Sequence, residues 1–299
     1  MSSSPRIWLI TGASSGFGRA VTEVVLANGE IAVATLRVPS ELDDLVAANP
    51  ERLLVLQCDV TKPDEISSAF TAAIEKFGRV DVVFNNAGCG IVGEIEATPE
   101  DAARAMFDVN FWGVSAVSKE AVRVFRDLNP ENAGGRLLNV SSGLGFGGAP
   151  ILGFYSASNH IQCGAYCADG YGKAVEGFTE SLRLEMNPAW NIKISIIAPG
   201  SFKTGAHTTG SLTFPAPEVY SGKETPSQVI REWVKDGSGI RGDPVLAAKA
   251  IFKFSTLESP PVRWAMGKDS AGGVRNKIKC VAEETDAFES WSENMELTV

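Results

Sequence analysis

The sequence lacks the long apolar runs that mark membrane proteins and secretory leaders. No window approaches about twenty consecutive apolar residues, the length of a membrane-spanning helix, and Met1 to Pro5 is a short polar stretch without a basic start. The sequence also lacks an excess of basic residues, since it has 27 lysines and arginines but 36 acidic residues. The net charge of -9 disfavours nucleic acid or an anionic membrane as a partner. We expect a cytoplasmic protein.

Cysteine and histidine are scarce as well. The chain has five cysteines, an odd number without the spacing of a disulfide framework, which is typical of a reducing compartment. They are Cys58, Cys89, Cys163, Cys167 and Cys280. His160 is close in sequence to Cys163 and Cys167, but this trio has no clear fourth ligand. We therefore expect no metal site.

Strand-like and helix-like segments alternate along the chain. The strand-like runs are Arg6 to Ile10, Ile31 to Leu36, Leu53 to Gln57, Val80 to Phe84, Arg136 to Val140, Ile192 to Ile197 and Pro261 to Ala265. Helical patterns of crossover length separate them, which predicts a parallel sheet covered on both faces. With 299 residues, 44% of them apolar, the chain can bury a sizeable core, and we expect one α/β domain over residues 1–299.

The first apolar run leads into a glycine-rich turn and then a helical pattern from Ala20 to Leu26. The turn reads Thr11-Gly12-Ala13-Ser14-Ser15-Gly16-Phe17-Gly18. Glycines let a chain turn tightly and bring backbone N–H groups against a pyrophosphate, to which the helix N-terminus adds partial positive charge. Taken alone, such a turn serves packing as often as it binds a nucleotide.

Four further segments follow in a fixed order. They are Asn85-Asn86-Ala87-Gly88 after a strand-like run, Asp-Val-Asn ending at Asn110, Leu-Leu-Asn-Val-Ser-Ser ending at Ser142, and Pro199-Gly200 after another strand-like run. Tyr155 follows Ser142 by thirteen residues. Together with the glycine turn, this order and spacing resemble the short-chain dehydrogenase/reductase family.

The resemblance implies a doubly wound Rossmann fold, a nicotinamide cofactor and hydride transfer to or from a small carbonyl or alcohol substrate. It implies that Tyr155 is the acid/base and that Ser142 binds the carbonyl. Asn110 would order a water for proton relay, and Lys173 would hold the nicotinamide ribose and stabilise the phenolate. The implied cofactor-binding residues are Gly12, Ser14, Ser15, Gly16, Phe17, Gly18, Arg37, Asp59, Val60, Asn86, Ala87, Gly88, Tyr155, Lys173, Pro199, Gly200, Phe202 and Thr204. The family packs subunits through the helix after the tyrosine, which allows a homo-oligomer.

The end of the second strand-like run indicates which nicotinamide cofactor is preferred. No acidic residue lies in Ala32 to Arg37 to bind a ribose 2'-hydroxyl, whereas Arg37 suits the 2'-phosphate of NADP. This favours NADP(H), the alternative being that Arg37 is a solvated loop residue. Asp59 resembles the family's adenine contact, but an aspartate there also suits a cap for the helix that begins near Pro63.

The tyrosine motif is interrupted. Asn159 stands where the family has a lysine, and removing the fourteen residues Asn159 to Gly172 makes Lys173 follow Tyr-Ser-Ala-Ser directly. Three explanations stay open: an intron read through in frame, a functional insertion that bulges out at its glycines, or a decayed catalyst. A continuous helix would put Tyr155 and Lys173 about 27 Å apart, too far for useful electrostatic coupling. A loop would return Lys173 to its place. Asn159 carries no charge and does not replace the lysine.

Residues 205–242 are the longest weakly patterned region outside this insertion and are rich in Gly, Ser, Thr and Pro. They stand where the resembled family has a lid over the substrate, the alternative being a surface loop. Within them, His207, Phe214 and Trp233 either line a pocket or simply pack.

The C-terminal part resembles an extension found in some family members, with helical stretches expected at Ser270 to Glu284 and Thr285 to Asn294. The leading hypothesis for the whole chain is an NADP(H)-dependent carbonyl reductase or alcohol dehydrogenase. The alternative is a non-catalytic NADP-binding sensor or scaffold, because both classes need the same nucleotide motifs.

Overall fold

The computed structural model describes residues 4–159, 174–205, 210–237, 239–293 and 295. Seven parallel strands of these ranges form one sheet. The main strands are β1 (Ile7–Thr11), β2 (Ile31–Leu36), β3 (Leu53–Gln57), β4 (Val82–Asn85), β6 (Gly135–Val140), β7 (Ile192–Pro199) and β9 (Arg263–Met266), while β5 (Gly90–Val92) and β8 (Ser211–Thr213) form a separate parallel pair. The main sheet has the order β3-β2-β1-β4-β6-β7-β9.

Helices connect the strands and cover both faces of the sheet. They are α1 (Gly16–Ala27), α2 (Asp43–Ala48), α3 (Pro63–Phe77), α4 (Glu100–Phe107), α5 (Val114–Asp127), α6 (Gly153–Asn159), α7 (Val175–Leu184), α8 (Pro226–Asp236), α9 (Pro244–Phe254) and α10 (Lys268–Phe288). Because neighbouring strands of the main sheet are parallel, each connection must cross back over the sheet, and the helices supply these crossovers. The doubly wound α/β fold is confirmed.

Alternate residues of β1 point to opposite faces of the sheet and join two different cores. Trp8 and Ile10 lie in the cluster formed with α1 and α9, whereas Ile7 and Leu9 lie in the cluster formed with α3 and α5. All four side chains are at most 2% exposed. A strand that is buried on both faces has no polar face, and β1 accordingly reads as a continuous apolar run.

The seven strand-like runs of the sequence correspond to the seven strands of the main sheet, with ends displaced by no more than two residues. β4 begins at Val82 rather than Val80, because the Val80 N–H donates to Asn129 Oδ1 outside the ladder. Among the residues that the structure describes, no helix combines the length and apolar character needed to cross a membrane.

The C-terminal helix and the small strands differ from expectation. α10 is one helix from Lys268 to Phe288, so the expectation of separate stretches at Ser270 to Glu284 and Thr285 to Asn294 is wrong. The Thr285 hydroxyl donates to the Val281 carbonyl at 2.7 Å, which accommodates the threonine inside the helix. The sequence does not predict β5 or β8, because three-residue strands carry too little of an alternating pattern.

Candidate active site

The candidate site lies at the carboxyl ends of β1, β4 and β6. β1 has β2 on one side and β4 on the other, so the connections leave it in opposite directions and open a crevice at this edge. The glycine turn occupies that crevice. Gly16 has a backbone φ of 54°, and a Cβ there would lie 3.2 Å from Thr204 Cβ. A Cβ on Gly18 would lie 2.1 Å from the Gly12 carbonyl oxygen, so this packing requires glycine.

Asn86 and Ala87 fix the crevice from the β4 side. The Thr11 hydroxyl oxygen accepts hydrogen bonds from the backbone N–H of Asn86 at 2.9 Å and of Ala87 at 3.0 Å. Asn86 Nδ2 in turn donates to the Thr11 carbonyl oxygen at 3.0 Å. These bonds tie the loop after β4 to the end of β1 and hold the glycine turn in one shape.

Arg37 and Asp59 lie at the ends of β2 and β3, and Arg37 is exposed. Asp59 Oδ1 accepts from the Thr61 backbone N–H at 3.0 Å and from its hydroxyl at 2.8 Å. The backbone bond from Thr61 is the main cause that lowers the pKa of the Asp59 carboxyl, and nearby Arg37 adds to it. Asp59 therefore caps the turn at Thr61; the N-cap of α3 is Lys62, so the helix-cap interpretation of Asp59 is wrong.

Tyr155 and Ser142 meet beyond the carboxyl end of β6. The Ser142 side chain is close enough to the Tyr155 hydroxyl to affect its pKa, and Ser142 is 8% exposed. Burial raises the pKa of the Tyr155 hydroxyl above its usual range, and Ser142 acts in the opposite direction. Tyr155 is therefore neutral near pH 7, and its phenolate needs a neighbouring cation.

Asn110 lies on an irregular turn between α4 and α5. Asp108–Gly113 form a π-helical turn, a departure from α geometry that is frequent at functional sites. The Cys89 N–H donates to Asn110 Oδ1 at 2.9 Å, and Asn110 Nδ2 donates to the Cys89 carbonyl at 2.9 Å and to Ser158 Oγ at 3.1 Å. Ser158 Oγ donates to the Tyr155 carbonyl at 2.9 Å. Asn110 is thus coupled to the helix that carries Tyr155.

Asn159 ends α6 with its side chain turned back into the helix. Asn159 Nδ2 donates to the Tyr155 carbonyl at 3.0 Å and to Ser158 Oγ at 3.1 Å, and the residue is 6% exposed. The Asn159 amide therefore makes its hydrogen bonds within the last turn of α6. Because an amide carries no charge, it supplies no cation to the tyrosine. Lys173, the predicted source of that cation, lies outside the described residues.

Comparison with known proteins agrees with this geometry. Residues 6–211 match the family described as short chain dehydrogenase. An uncharacterized oxidoreductase of Schizosaccharomyces pombe is 32% identical over 283 residues, covering 93% of this chain and 88% of that protein. A solved short-chain dehydrogenase from Streptomyces avermitilis has a TM-score of 0.84 and 32% identity, covering 99% of this chain and 100% of that one. The chain belongs to the short-chain dehydrogenase family.

A more distant short-chain dehydrogenase/reductase from Burkholderia phymatum was solved in complex with NAD. It has a TM-score of 0.70 and 23% identity, covering 99% of this chain and 98% of that one. At this identity the likeness concerns the fold of the short-chain dehydrogenases alone.

The interrupted short-chain dehydrogenase motif has described residues on both sides of the interruption, and both sides contact the Ser141 hydroxyl. Ser141 Oγ lies 3.3 Å from the Asn159 carbonyl oxygen and 2.7 Å from Glu176 Oε1. A continuous helix from position 159 to position 176 would separate these residues by roughly 25 Å. The end of α6 therefore lies beside the start of α7. The residues between them, 160–173, on which the choice between a continuous helix and a loop depends, lie outside the described residues.

The described residues of the range expected to form a lid are anchored to the segment after β5. Phe214, which follows β8, donates its N–H to the Val92 carbonyl at 2.9 Å. Arg231 of α8 pairs with Glu94, with Nε–Oε1 and Nη2–Oε2 distances of 3.1 and 2.5 Å, and its Nη1 donates to the Phe214 carbonyl at 2.9 Å. The side chains of Glu94 and Arg231 are 4% and 13% exposed. A main-chain hydrogen bond and a buried ion pair therefore both attach β8 and α8 to the residues of and after β5.

This anchoring places β8 beside the tyrosine. A Cβ on Gly90 would lie 2.4 Å from Ser211 Oγ and 3.9 Å from Tyr155 Cδ2, so β5 and β8 form a wall next to the Tyr155 ring. Of the residues considered for a pocket, Phe214 packs against Gly93, and Trp233 packs over Gly239 and is 38% exposed. His207 lies outside the described residues.

The remaining predicted cofactor residues surround the same crevice. The rings of Phe17 and Phe202 are in edge contact with centroids 5.2 Å apart. Val60 packs against Gly113 of the π-helical turn, and a Cβ on Gly88 would lie 3.4 Å from Asn110 Oδ1. Ser14 and Ser15 lie in the loop that follows β1, Pro199 is the last residue of β7, and Gly200 follows it.

Five polar residues at the site were missed by the sequence motifs. They are Glu94, Ser141, Glu176, Arg231 and Arg263, whose contacts join distant parts of the chain. The available signal was a glutamate within an apolar helical stripe, Ala-Val-Glu-Gly-Phe, at position 176. A buried charge in such a stripe implies a partner but does not identify it.

Proposed function

We propose that this chain is an NADP(H)-dependent oxidoreductase that interconverts a carbonyl compound and the corresponding secondary alcohol. The observation that carries the proposal is the contact between the Tyr155 and Ser142 side chains beside the glycine-turn crevice. Two hydroxyls in contact can bind one carbonyl oxygen together, and the more acidic one can exchange a proton with it. Asn110, which is linked to Tyr155 by hydrogen bonds through Ser158, is the third residue of the proposed catalytic group.

The crevice has the features that a dinucleotide needs. Gly16 has no side chain to obstruct a pyrophosphate, and α1 begins at the same residue, so its partial positive charge faces the phosphate position. The fold is shared with a protein solved with NAD. A bound nicotinamide would supply the hydride chemistry, while the protein supplies binding, orientation and proton transfer.

In the proposed reaction, Ser142 donates a hydrogen bond to the carbonyl oxygen and Tyr155 delivers the proton during reduction, or removes it during oxidation. Because burial raises the pKa of Tyr155, the proton transfer depends on a cation that stabilises the phenolate. Lys173 is the residue we propose for this role and for holding the nicotinamide ribose. Asn110 holds the water through which the proton reaches solvent.

Arg37 supports NADP(H) as the cofactor. It is exposed at the end of β2, where the ribose of a dinucleotide in this fold lies, and its guanidinium can pair with a 2'-phosphate. Asp59 is close enough to Arg37 for the guanidinium to lower the pKa of the Asp59 carboxyl. The two residues therefore lie on either side of the position proposed for the adenosine.

The test is the oxidation of NADPH, followed by absorbance, with a panel of small ketones and aldehydes. Tyr155→Phe and Ser142→Ala should each lower turnover at least about a hundredfold, because each removes a group that acts on the carbonyl oxygen. The dissociation constant for NADPH, measured by calorimetry, should stay unchanged in Ser142→Ala and should change far less than turnover in Tyr155→Phe.

Tight NADPH binding without turnover of any carbonyl would contradict the oxidoreductase and support a cofactor sensor or scaffold. The proximity of the Tyr155 and Ser142 hydroxyls favours the enzyme, since a protein that only binds the dinucleotide has no use for a tyrosine and a serine in this arrangement.

A further inference from the structure

Glu176 is a charged residue with no exposed surface, and it lies directly behind the candidate active site. It belongs to the first turn of α7 and is 0% exposed. Glu176 Oε1 accepts from Ser141 Oγ at 2.7 Å, and Glu176 Oε2 accepts from Arg263 Nε at 2.7 Å. Arg263 comes from β9, so one carboxylate connects α7, the end of β6 and the edge strand β9.

Ser141 transmits the position of this carboxylate to Ser142. The Ser141 N–H donates to the Ile197 carbonyl at 2.8 Å, which fixes its backbone at the end of β6. With its backbone held by β7 and its side chain held by Glu176, Ser141 leaves the next peptide little freedom. Ser142, which contacts Tyr155, is the next residue.

The surroundings of Ser141 leave no room for this arrangement to shift. A Cβ on Gly145 would lie 2.4 Å from the Asn159 carbonyl oxygen and 3.1 Å from Ser141 Oγ. Because the cluster is tightly packed, a displacement of the Glu176 carboxylate would move Ser141 instead of being absorbed by a cavity.

We propose that Glu176 is a positioning residue for the proposed reaction: through the Ser141 hydroxyl it sets the position of Ser142 against Tyr155, and its ionisation changes that position. The inference rests on the proposed function for the roles of Ser142 and Tyr155. It assigns no direct contact of Glu176 with substrate or cofactor.

The charged groups near Glu176 determine the pH at which its carboxyl loses its proton. Arg263 approaches from β9 and Glu180 lies one turn further along α7, while Tyr155 on α6 stays neutral through this range. Burial is the main cause that raises the pKa of the Glu176 carboxyl, to about 7, and Arg263 opposes it. The carboxylate accepts from Ser141 and Arg263 together, whereas the protonated acid has a hydroxyl in place of one acceptor.

The experiment compares Glu176→Gln with Glu180→Gln as a matched control. Glu180 pairs with the other side of the same guanidinium, Arg263 Nη2, but does not touch Ser141. Glu176→Gln should lower kcat about tenfold at pH 8 with an unchanged NADPH dissociation constant. It should also abolish the fall of kcat below about pH 7, because the amide resembles the protonated acid at every pH. Glu180→Gln should keep the wild-type kcat at pH 8. Its kcat should still fall at lower pH, with the midpoint displaced downward because Glu180 helps to raise the pKa of the Glu176 carboxyl.

A second readout does not depend on turnover. With isotope-labelled tyrosine, the NMR signal of Tyr155, assigned through Tyr155→Phe, should shift near pH 7 in the wild type. It should shift at a lower pH in Glu180→Gln and should not shift in Glu176→Gln. A shift that persists in Glu176→Gln, or equal kcat profiles for all three proteins, would overturn the positioning role. If no protein turns over a carbonyl but the shift follows Glu176, the proposed reaction fails and the positioning link stands.

Discussion

Arg37 is the single residue on which the proposed cofactor preference depends. We expect the protein to bind NADPH more tightly than NADH, and Arg37→Glu to narrow or reverse that ratio. Loss of one charge-assisted contact to the 2'-phosphate corresponds to at least about 1.5 kcal/mol, roughly tenfold in affinity. Calorimetric titration with both cofactors measures the ratio. Arg275→Glu, an equal charge change on exposed α10, is the control, and equal affinities of the unaltered protein for both cofactors would contradict the assignment.

Glu176 also predicts how stability depends on pH. Its pKa is about 7 in the folded protein against 4.5 for an unperturbed glutamate, so the folded state binds more protons. The resulting contribution is fully present below about pH 4.5 and is lost as pH rises to about 7. The difference in unfolding free energy, Glu176→Gln minus wild type, should therefore grow by about 3 kcal/mol between pH 5 and pH 8. Urea unfolding at both pH values measures it, and an unchanged difference would contradict the burial-raised pKa.

Sequence and structure agree best for residues whose roles are set by local spacing. The glycine turn and the Ser142–Tyr155 pair are recognisable because turn geometry and fixed intervals demand particular residues at particular places. Ion pairs such as Arg263 with Glu176 and Arg231 with Glu94 join positions 87 and 137 residues apart, and no local pattern records them. The sequence shows that Asn159, in the place of the family's lysine, carries no charge. Only the structure shows that its amide donates to the Tyr155 carbonyl at the end of α6.

At the scale of elements, the ion pair between Arg231 and Glu94 holds α8 and β8 against β5. Arg231→Met leaves the 4% exposed Glu94 carboxylate without its partner and should destabilise the fold by about 3–5 kcal/mol. Combining it with Glu94→Gln removes the stranded charge and should restore most of that loss. Urea unfolding gives the energies, and limited proteolysis within 211–237 reports release of this segment.

The control for this pair is Arg104→Met, because the ion pair of Arg104 with Glu100 is exposed on α4 and should contribute less than about 1 kcal/mol. If Arg231→Met and Arg104→Met are equally stable and equally resistant to protease, the buried pair does not anchor the segment 211–237.

The elements were predictable to the extent that their patterns are long. The main strands bury apolar runs of four to eight residues, and the sequence finds each of them. β8 escapes prediction because its pairing with β5 connects residues about 120 positions apart, a contact made by tertiary structure alone. The sequence does not show that α10 continues through Thr285, because threonine is a weak helix former, whereas the structure satisfies its hydroxyl within the helix.

At the scale of the whole molecule, the meeting of α6 and α7 predicts that residues 159–172 can be removed. Deletion of Asn159 to Gly172 brings Lys173 to one helical turn from Tyr155 and should leave the fold intact, because both described ends already contact Ser141. If the insertion disables the enzyme, kcat should rise by orders of magnitude in NADPH oxidation assays. Lys173→Ala in the shortened protein should cancel that gain.

Equal kcat for the full-length and shortened proteins, with Lys173→Ala equally damaging in both, would show instead that Lys173 already acts from a looped-out insertion. An unfolded deletion product, detected by circular dichroism, would contradict the inference that the ends of α6 and α7 are ready to join.

The strand order of the main sheet also has a consequence for synthesis on the ribosome. From β1 the sheet grows outward in chain order, through β2 and β3 on one side and through β4, β6, β7 and β9 on the other. Each strand joins an existing edge, and none has to be inserted between strands already paired. A nascent chain that ends at Asn159 already contains the glycine turn, Ser142 and Tyr155, but not Thr204 and Phe202, which pack against that turn. Its β6 edge stays exposed until β7 is made, and β7, Phe202, Thr204 and β8 complete the crevice afterwards.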